Sequence, residues 1–326
     1  MARDIREQLT KYITDAHSIE VQALAQLEKA PQVAEFPQLE QALREHYRET
    51  ERHERLTRTL LDERGAAPNR LKDMIMGIGG KGFLAFARAM PDTPGKLLSH
   101  ALSYEALETA SYELLSRTAE RGGEEEVART ARQICDDERA MMGRLEECYD
   151  GAVEASLRDV PRDDLTMQLR KYLADAHAIE QQAIEMLSKA PELGGDTQLS
   201  HLYEEHLVET REHAEMVKAR LDALGGDNST LKDLAMRMGA LNWGSFFAAH
   251  PDTPGKLAAF TYAFEHLEIG GYEQLKRVAR RAGDEATATT AEQILTQERT
   301  AAERIAGMFD EAVTASLEAL GVEARG

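Results

Sequence analysis

Cysteine is almost missing from this chain of 326 residues, which has only Cys135 and Cys148. Two thiols cannot build a disulfide framework or a thiolate zinc cluster, and a reducing compartment suits them best. Basic residues are in deficit, 39 against 58 acidic ones, for a net charge of −19. A net-negative field repels phosphate backbones, which excludes a nucleic-acid partner. Nine prolines and 23 glycines are modest for this length, and 42% hydrophobic with 30% charged residues is the composition of a folded domain rather than a disordered segment. No long apolar run exists. The least polar stretch, Met74 to Met90, is interrupted by Lys81 and several glycines and is too short to span a bilayer. Charges in the first seven residues stand where a signal peptide needs an apolar core, so a cytoplasmic location is expected.

What is present is repetition. Leu9-Thr-Lys-Tyr-Ile-Thr-Asp-Ala-His-Ser-Ile-Glu20 returns as Leu169-Arg-Lys-Tyr-Leu-Ala-Asp-Ala-His-Ala-Ile-Glu180, and Pro91-Asp-Thr-Pro-Gly-Lys-Leu97 returns unchanged as Pro251 to Leu257. The offset of 160 holds without a gap down to Ala152-Val-Glu-Ala-Ser-Leu157 against Ala312-Val-Thr-Ala-Ser-Leu317. The chain is a duplicated domain, 1–160 and 161–326, joined near Asp159 to Asp164. Both copies are acidic. Position by position, Cys135 faces Leu295 and Cys148 faces Met308, so neither thiol belongs to what the copies share. Both read as residues of a helix core.

Apolar residues recur at alternating steps of three and four, the pattern of helices with one buried face. In the first copy the pattern predicts helices over about 3–30, 38–64, 94–121 and 124–158. Asp92 or Thr93 would cap the third, and Pro94 suits its first turn. Short turns make helices one and two antiparallel, and likewise three and four. About thirty residues, Gly65 to Thr93, separate helices two and three, enough for a crossover that leaves those two parallel. Met74 to Met90 reads either as a helix of that crossover or as a partner- or membrane-binding segment. The fold class is all-α, two tandem four-helix bundles.

Acidic residues interrupt the apolar stripes. Glu20, Glu49, Glu108 and Glu138 fall one per helix, and Glu180, Glu209, Glu268 and Glu298 repeat them. Counted from the turns, Glu20 and Glu49 lie level with each other, as do Glu108 and Glu138. Four carboxylates in a low-dielectric core would cost several kcal/mol each unless neutralised. A pair of cations does that, and facing helices of a four-helix bundle are where carboxylate-bridged metal pairs are built. His46 and His53 flank Glu49, and His206 and His213 repeat them; His17 and His177 lie one turn from Glu20 and Glu180. The predicted metal ligands are therefore Glu20, Glu49, His53, Glu108, Glu138 and their counterparts. His46, His206, Glu105, Glu265, His17 and His177 are further ligands or groups just behind them. Oxygen-rich ligation with one or two imidazoles suits iron or manganese better than zinc. The competing reading pairs each glutamate with a nearby arginine such as Arg139 or Arg144. Tyr112 and Tyr272, one turn beyond Glu108 and Glu268, read as core rings whose hydroxyls bond a carboxylate.

At these residues the chain resembles the ferritin-like superfamily, and within it the YciF-type bacterial stress-response proteins. Phe264-Glu-His-Leu-Glu-Ile-Gly-Gly-Tyr-Glu-Gln-Leu275, Asp175 to Gln182, and the His46-x-x-Glu49-Thr50 and His206-x-x-Glu209-Thr210 segments carry the resemblance. It implies a four-helix bundle with a di-iron centre, an association with stress, and dimers of which this chain would be a fused version, an intramolecular pseudo-dimer open to further homo-oligomerisation. The sequence departs from the usual Glu-x-x-His pattern: helix two has Glu49-x-x-x-His53, and helix four has Glu138-x-x-Met141 and Glu298-x-x-Ala301. Two functions follow. One is a di-metal protein reacting with O2 or peroxide as an oxidoreductase or ferroxidase. The other is a non-catalytic structural or interaction protein with absent or vestigial metal sites.

Overall fold

The computed structural model describes residues 4–67, 93–194, 197–226 and 252–322. Among them it is all-α, without strands. The first repeat contains α1 (Ile5–Leu27), α2 (Pro37–Asp62), α3 (Thr93–Arg121), α4 (Glu125–Glu146) and α5 (Tyr149–Leu157). The second contains α6 (Leu165–Gly194), α7 (Gln198–Ala223), α8 (Thr253–Ala282), α9 (Glu285–Gly307) and α10 (Phe309–Ala319). The crossover expected between helices two and three, including Met74 to Met90, lies outside the described residues, as does Asp92.

Local chemistry sets the helix ends. Asp4 caps α1 by accepting from the Arg6 amide at 3.0 Å, and Pro37 opens α2 at a position that has no intrahelical use for an N–H. Between α3 and α4 Gly123 has φ 68°, and Gly283 has φ 74° at the same place in the second repeat. Only glycine adopts that conformation without strain, so the stop is written into both copies.

The expected fourth helix is two helices. At Glu147 and Cys148 the bonding tightens to a three-residue step, Cys148 N–H to Leu145 O at 2.9 Å, and α5 starts anew. Gly151 in α5 then lies against the Phe36 ring so closely that a Cβ would stand 2.7 Å from it. The second repeat breaks likewise at Met308.

Cross-helix contacts fix the directions. On α1 and α3, Gln26 meets His100 at 3.3 Å while Glu20 meets Tyr112, so numbers fall on one as they rise on the other. On α2 and α4, Arg64 meets Glu124 and Glu49 meets Arg144, each at 3.0 Å, again antiparallel. His17 of α1 reaches Glu54 of α2. Helices α2 and α3 are therefore parallel, as a crossover connection requires.

Packing divides the chain into two compact units, Met1–Ser156 with Val313–Gly326, and Leu157–Ala312. The end of α10 thus groups with the first repeat: Val313, Leu317, Leu320 and Val322 form an apolar cluster with Ile5 and Leu114. A larger cluster, including Leu9, Ile13, Leu60, Leu115, Val127 and Ile134, fills one end of the first bundle. Cys135 and Cys148 are buried free thiols, raised by burial to about 12 and about 11, which removes them from nucleophilic chemistry.

Two substitutions test this account. Gly151→Ala should destabilise the first unit by about 1–3 kcal/mol through the clash with Phe36, read as a lower midpoint in chemical denaturation. Asp284 caps α9, accepting from the Thr287 amide at 3.0 Å, and pairs with Arg220. Burial opposes its charge, but these donors hold its pKa below the ordinary 3.8, so its contribution is present above that pH and lost as pH falls through the lowered value. Asp284→Ala should cost about 1 kcal/mol at neutral pH, and the gap to the parent in thermal melts should close in acid.

Candidate metal centre

Helical periodicity sets which side chains meet inside each bundle. On α2 the buried line runs His46, Thr50, His53, Thr57 and Leu60. A residue one position off that line is turned about 100° aside, which places Glu49 at the edge of the bundle and not in its interior. On α3 the line runs Ala101, Glu105, Glu108 and Tyr112, and all four are buried. Glu20 on α1 and Glu138 on α4 are wholly buried.

These lines converge. In the first repeat His46 Nε2 stands 2.9 Å from Glu105 Oε2 and 3.4 Å from Glu138 Oε2. His53 Nδ1 stands 2.8 Å from Glu138 Oε1 and 3.9 Å from Glu20 Oε2. Two groups result whose donor atoms lie within 4.8 Å of one another: His46, Glu105, Glu108 and Glu138, and Glu20, His53 and Glu138. Glu138 belongs to both. The second repeat repeats the plan with His206, Glu265 and Glu298, and with Glu180, His213 and Glu298. Glu268 is buried beside these but falls outside the tight groups.

The inward-facing atoms lack hydrogen-bond partners among the described residues. They include Glu20 Oε2, His46 Nε2, His53 Nδ1, Glu105 Oε2 and both oxygens of Glu108 and Glu138. These atoms lie close enough together that one cation placed among them could engage several at once. The outward atoms are satisfied. Tyr112 donates to Glu20 Oε1 and Tyr272 to Glu180 Oε1. His46 Nδ1 meets Glu49 Oε2 at 3.1 Å, and His53 Nε2 meets Asp137 Oδ2 at 3.1 Å. Each imidazole thus has one nitrogen held from behind and the other free to face a cation, the usual support of a metal-binding histidine.

Glu49 and Glu209, expected as ligands, are not in these groups. Glu49 holds His46 and takes a two-pronged contact from Arg144, while Glu209 holds His206 at 3.3 Å. Arg139 goes to Glu113 and Asp136. The arginine pairing expected as the alternative therefore applies to Glu49 and leaves Glu138 alone. His17 pairs with Glu54 at 3.2 Å, outside the centre; His177 is in none of the groups, and Ala214 occupies the position that matches Glu54 in the second repeat. His266, which replaces Ala106, meets the Tyr262 carbonyl at 2.8 Å and takes no part. A cavity of about 20 Å3, room for one water, runs among Ala23, Leu43, Leu97, His100 and Tyr104 to Glu105.

The electrostatics are those of buried acids that the neighbouring imidazoles offset only in part. Burial first, then Glu138, raises Glu20 to about 8. Burial also raises Glu138 to about 7 and Glu265 to about 7, and pushes Glu108, Glu180 and Glu268 well up. His46 moves up as well: burial opposes its charge, but Glu105 and Glu138 outweigh it. By contrast Glu49 is held low by the His46 hydrogen bond and by Arg144.

A sequence family described as "Domain of unknown function (DUF892)" matches twice, over residues 4–158 and 165–318. The chain belongs to the DUF892 family. It carries two DUF892 domains in tandem, and the two clusters are one per domain. No solved structure matches the chain.

The four buried carboxylates and two imidazoles of the first DUF892 domain match in kind the donor set of di-metal four-helix bundles, distributed differently over the helices. With protons as its only neutralising charge, the cluster has a definite pH signature. Glutamates with raised pKa stabilise the fold fully below the ordinary 4.5, and that contribution is lost as pH rises through about 7 and about 8. Chelator-treated protein should therefore melt at lower temperature as pH goes from 5 to 8. Added divalent metal, which displaces those protons, should reverse the slope.

Proposed function

We propose that the chain is a tandem di-metal carboxylate protein, with one metal pair per DUF892 domain. The observation that carries the reading is the set of buried, unpartnered donor atoms converging from four helices, twice. In the first domain His46, Glu105 and Glu108 would hold one cation, Glu20 and His53 the other, with Glu138 between them. In the second, His206 and Glu265, then Glu180 and His213, do the same around Glu298, with Glu268 nearby.

Four carboxylates to two imidazoles favour iron or manganese over zinc. When bound, such a pair supplies Lewis-acid and redox chemistry towards O2 or peroxide. The chain's own residues bind and shield. Tyr112 and Tyr272 orient Glu20 and Glu180, Glu49 and Asp137 orient the imidazoles, and the apolar cluster of Leu9, Ile13 and Leu60 excludes water at one end. The resemblance to YciF-type proteins supports a role in the stress response, with reaction of the metal pair with O2 or peroxide; the charged first residues and the scarcity of cysteine support a cytoplasmic location.

Metal content tests this. Protein made with iron and manganese supplied, without a metal-binding tag, should hold about four ions per chain by plasma mass spectrometry. Glu138→Ala should reduce that to about two, and Glu138→Ala with Glu298→Ala to nearly none. Glu49→Gln should leave the ions in place, because Glu49 lies outside the clusters. Less than one ion per folded chain would overturn the reading in favour of a structural or interaction role.

A further inference from the structure

Behind the second imidazole of each centre the two repeats differ. His53 Nε2 faces a carboxylate, Asp137 Oδ2, at 3.1 Å; His213 Nε2 faces a neutral amide, Gln297 Oε1, also at 3.1 Å. The distance, the ring atom and the accepting role are the same, while the charge of the acceptor and that of the residue beyond it have changed. Asp137 is in turn fixed by Arg52, whose Nη2 donates to the same oxygen at 2.8 Å; the matching position in the second repeat is Glu212.

A carboxylate that accepts the proton of one imidazole nitrogen increases electron density on the other and strengthens its bond to a cation. A neutral amide orients the ring but adds far less. The inner nitrogens are otherwise matched. His53 Nδ1 lies 2.8 Å from Glu138 Oε1 and 3.9 Å from Glu20, and His213 Nδ1 lies 2.8 Å from Glu298 Oε1 and 3.9 Å from Glu180. Both rings are buried, and both glutamates at the far side are oriented by a tyrosine. The substitution behind the ring is thus the electronic difference nearest the imidazole, beside a second one farther off, where Glu268, unlike Glu108, falls outside the tight groups.

We infer that Asp137 and Gln297 are positioning residues that make the two centres unequal: the cation held by Glu20, His53 and Glu138 is bound more tightly than the one held by Glu180, His213 and Glu298. The inference rests on the di-metal reading. Partners behind a metal-binding histidine typically change affinity by about 10- to 100-fold, and an amide that preserves the hydrogen bond retains part of that, so a difference of about 10-fold is expected. The duplicated chain then fills its first centre before its second as metal becomes available.

The test isolates each centre in the full chain. Glu180→Gln with Glu298→Gln leaves the first, and Glu20→Gln with Glu138→Gln leaves the second, with circular dichroism to show that both remain folded. Each is titrated with manganese(II), free ion being followed by its paramagnetic resonance signal. The first centre should bind about 10-fold more tightly. Asp137→Asn should then weaken the first centre by about 10-fold, and Gln297→Glu should strengthen the second by a similar factor. Both changes are nearly isosteric, and a merely structural role does not predict a gain from Gln297→Glu. Equal affinities in the two isolated centres, or affinities unmoved by Asp137→Asn and Gln297→Glu, overturn the inference while leaving the di-metal reading in place. No manganese on either folded centre overturns that reading and this inference together.

Discussion

The fold is organised around a liability, acidic side chains held where water does not reach. Glu20, Glu108 and Glu138 are wholly buried, and Glu105 nearly so, with few donors to meet them. An ionised carboxylate removed from water costs several kcal/mol unless something positive or a proton compensates it. Much of the surrounding design limits that cost. Tyrosine hydroxyls take one oxygen each of Glu20 and Glu180, and imidazoles stand between the carboxylates. Leucine and isoleucine pack the neighbouring layers, making the acids' low-dielectric surroundings permanent. The acids recur at all four positions in the second copy, so the liability is shared by design and is not one helix's accident.

Helix two shows how charge is sorted by a single helical step. His46 faces the interior and Glu49, three residues on, stays at the rim with Arg144. The pair connects the inner cluster to the surface through one imidazole, which lets a rim carboxylate influence a buried ring without being buried itself. Asp137 does the same for His53 from α4, with Arg52 beyond it. Behind His46, then, a rim carboxylate held low, Glu49, stands apart from inner acids whose pKa values are raised, with the imidazole ring between them.

Much of this is legible in the residues. The offset of 160 exposes the duplication, and stripe breaks at Glu20, Glu108 and Glu138 locate the three acids that do meet. Glu49 falls outside the buried groups because a stripe drawn in steps of three and four can pass through 49 or 50, and the buried line takes Thr50. Glu105 stays undecided in the sequence because it and Glu108 both fit the inner line of α3; the close approach of His46 settles its place. The pattern Glu-x-x-His is a poor guide here: two histidines seven apart on α2 and two glutamates three apart on α3 supply the same donors. Asp137 lies off the apolar stripe, and nothing in one helix says that His53 of another will reach it. The break between α4 and α5 has no glycine or proline at Glu147 and Cys148 to announce it.

The apolar cluster at the end of α10 bears on the order in which the chain can fold. Val313, Leu317 and Leu320 complete a unit whose other members begin at Ile5, a sequence separation spanning nearly the whole chain. Closing so long a loop adds only slowly to the entropy cost, but such contacts cannot form until both ends of the chain exist. During synthesis the first bundle emerges early, yet its last apolar cover is made after the second bundle has been translated. The duplication is therefore not a division into two self-sufficient halves: the first unit borrows its last apolar cover from the final helix of the second repeat.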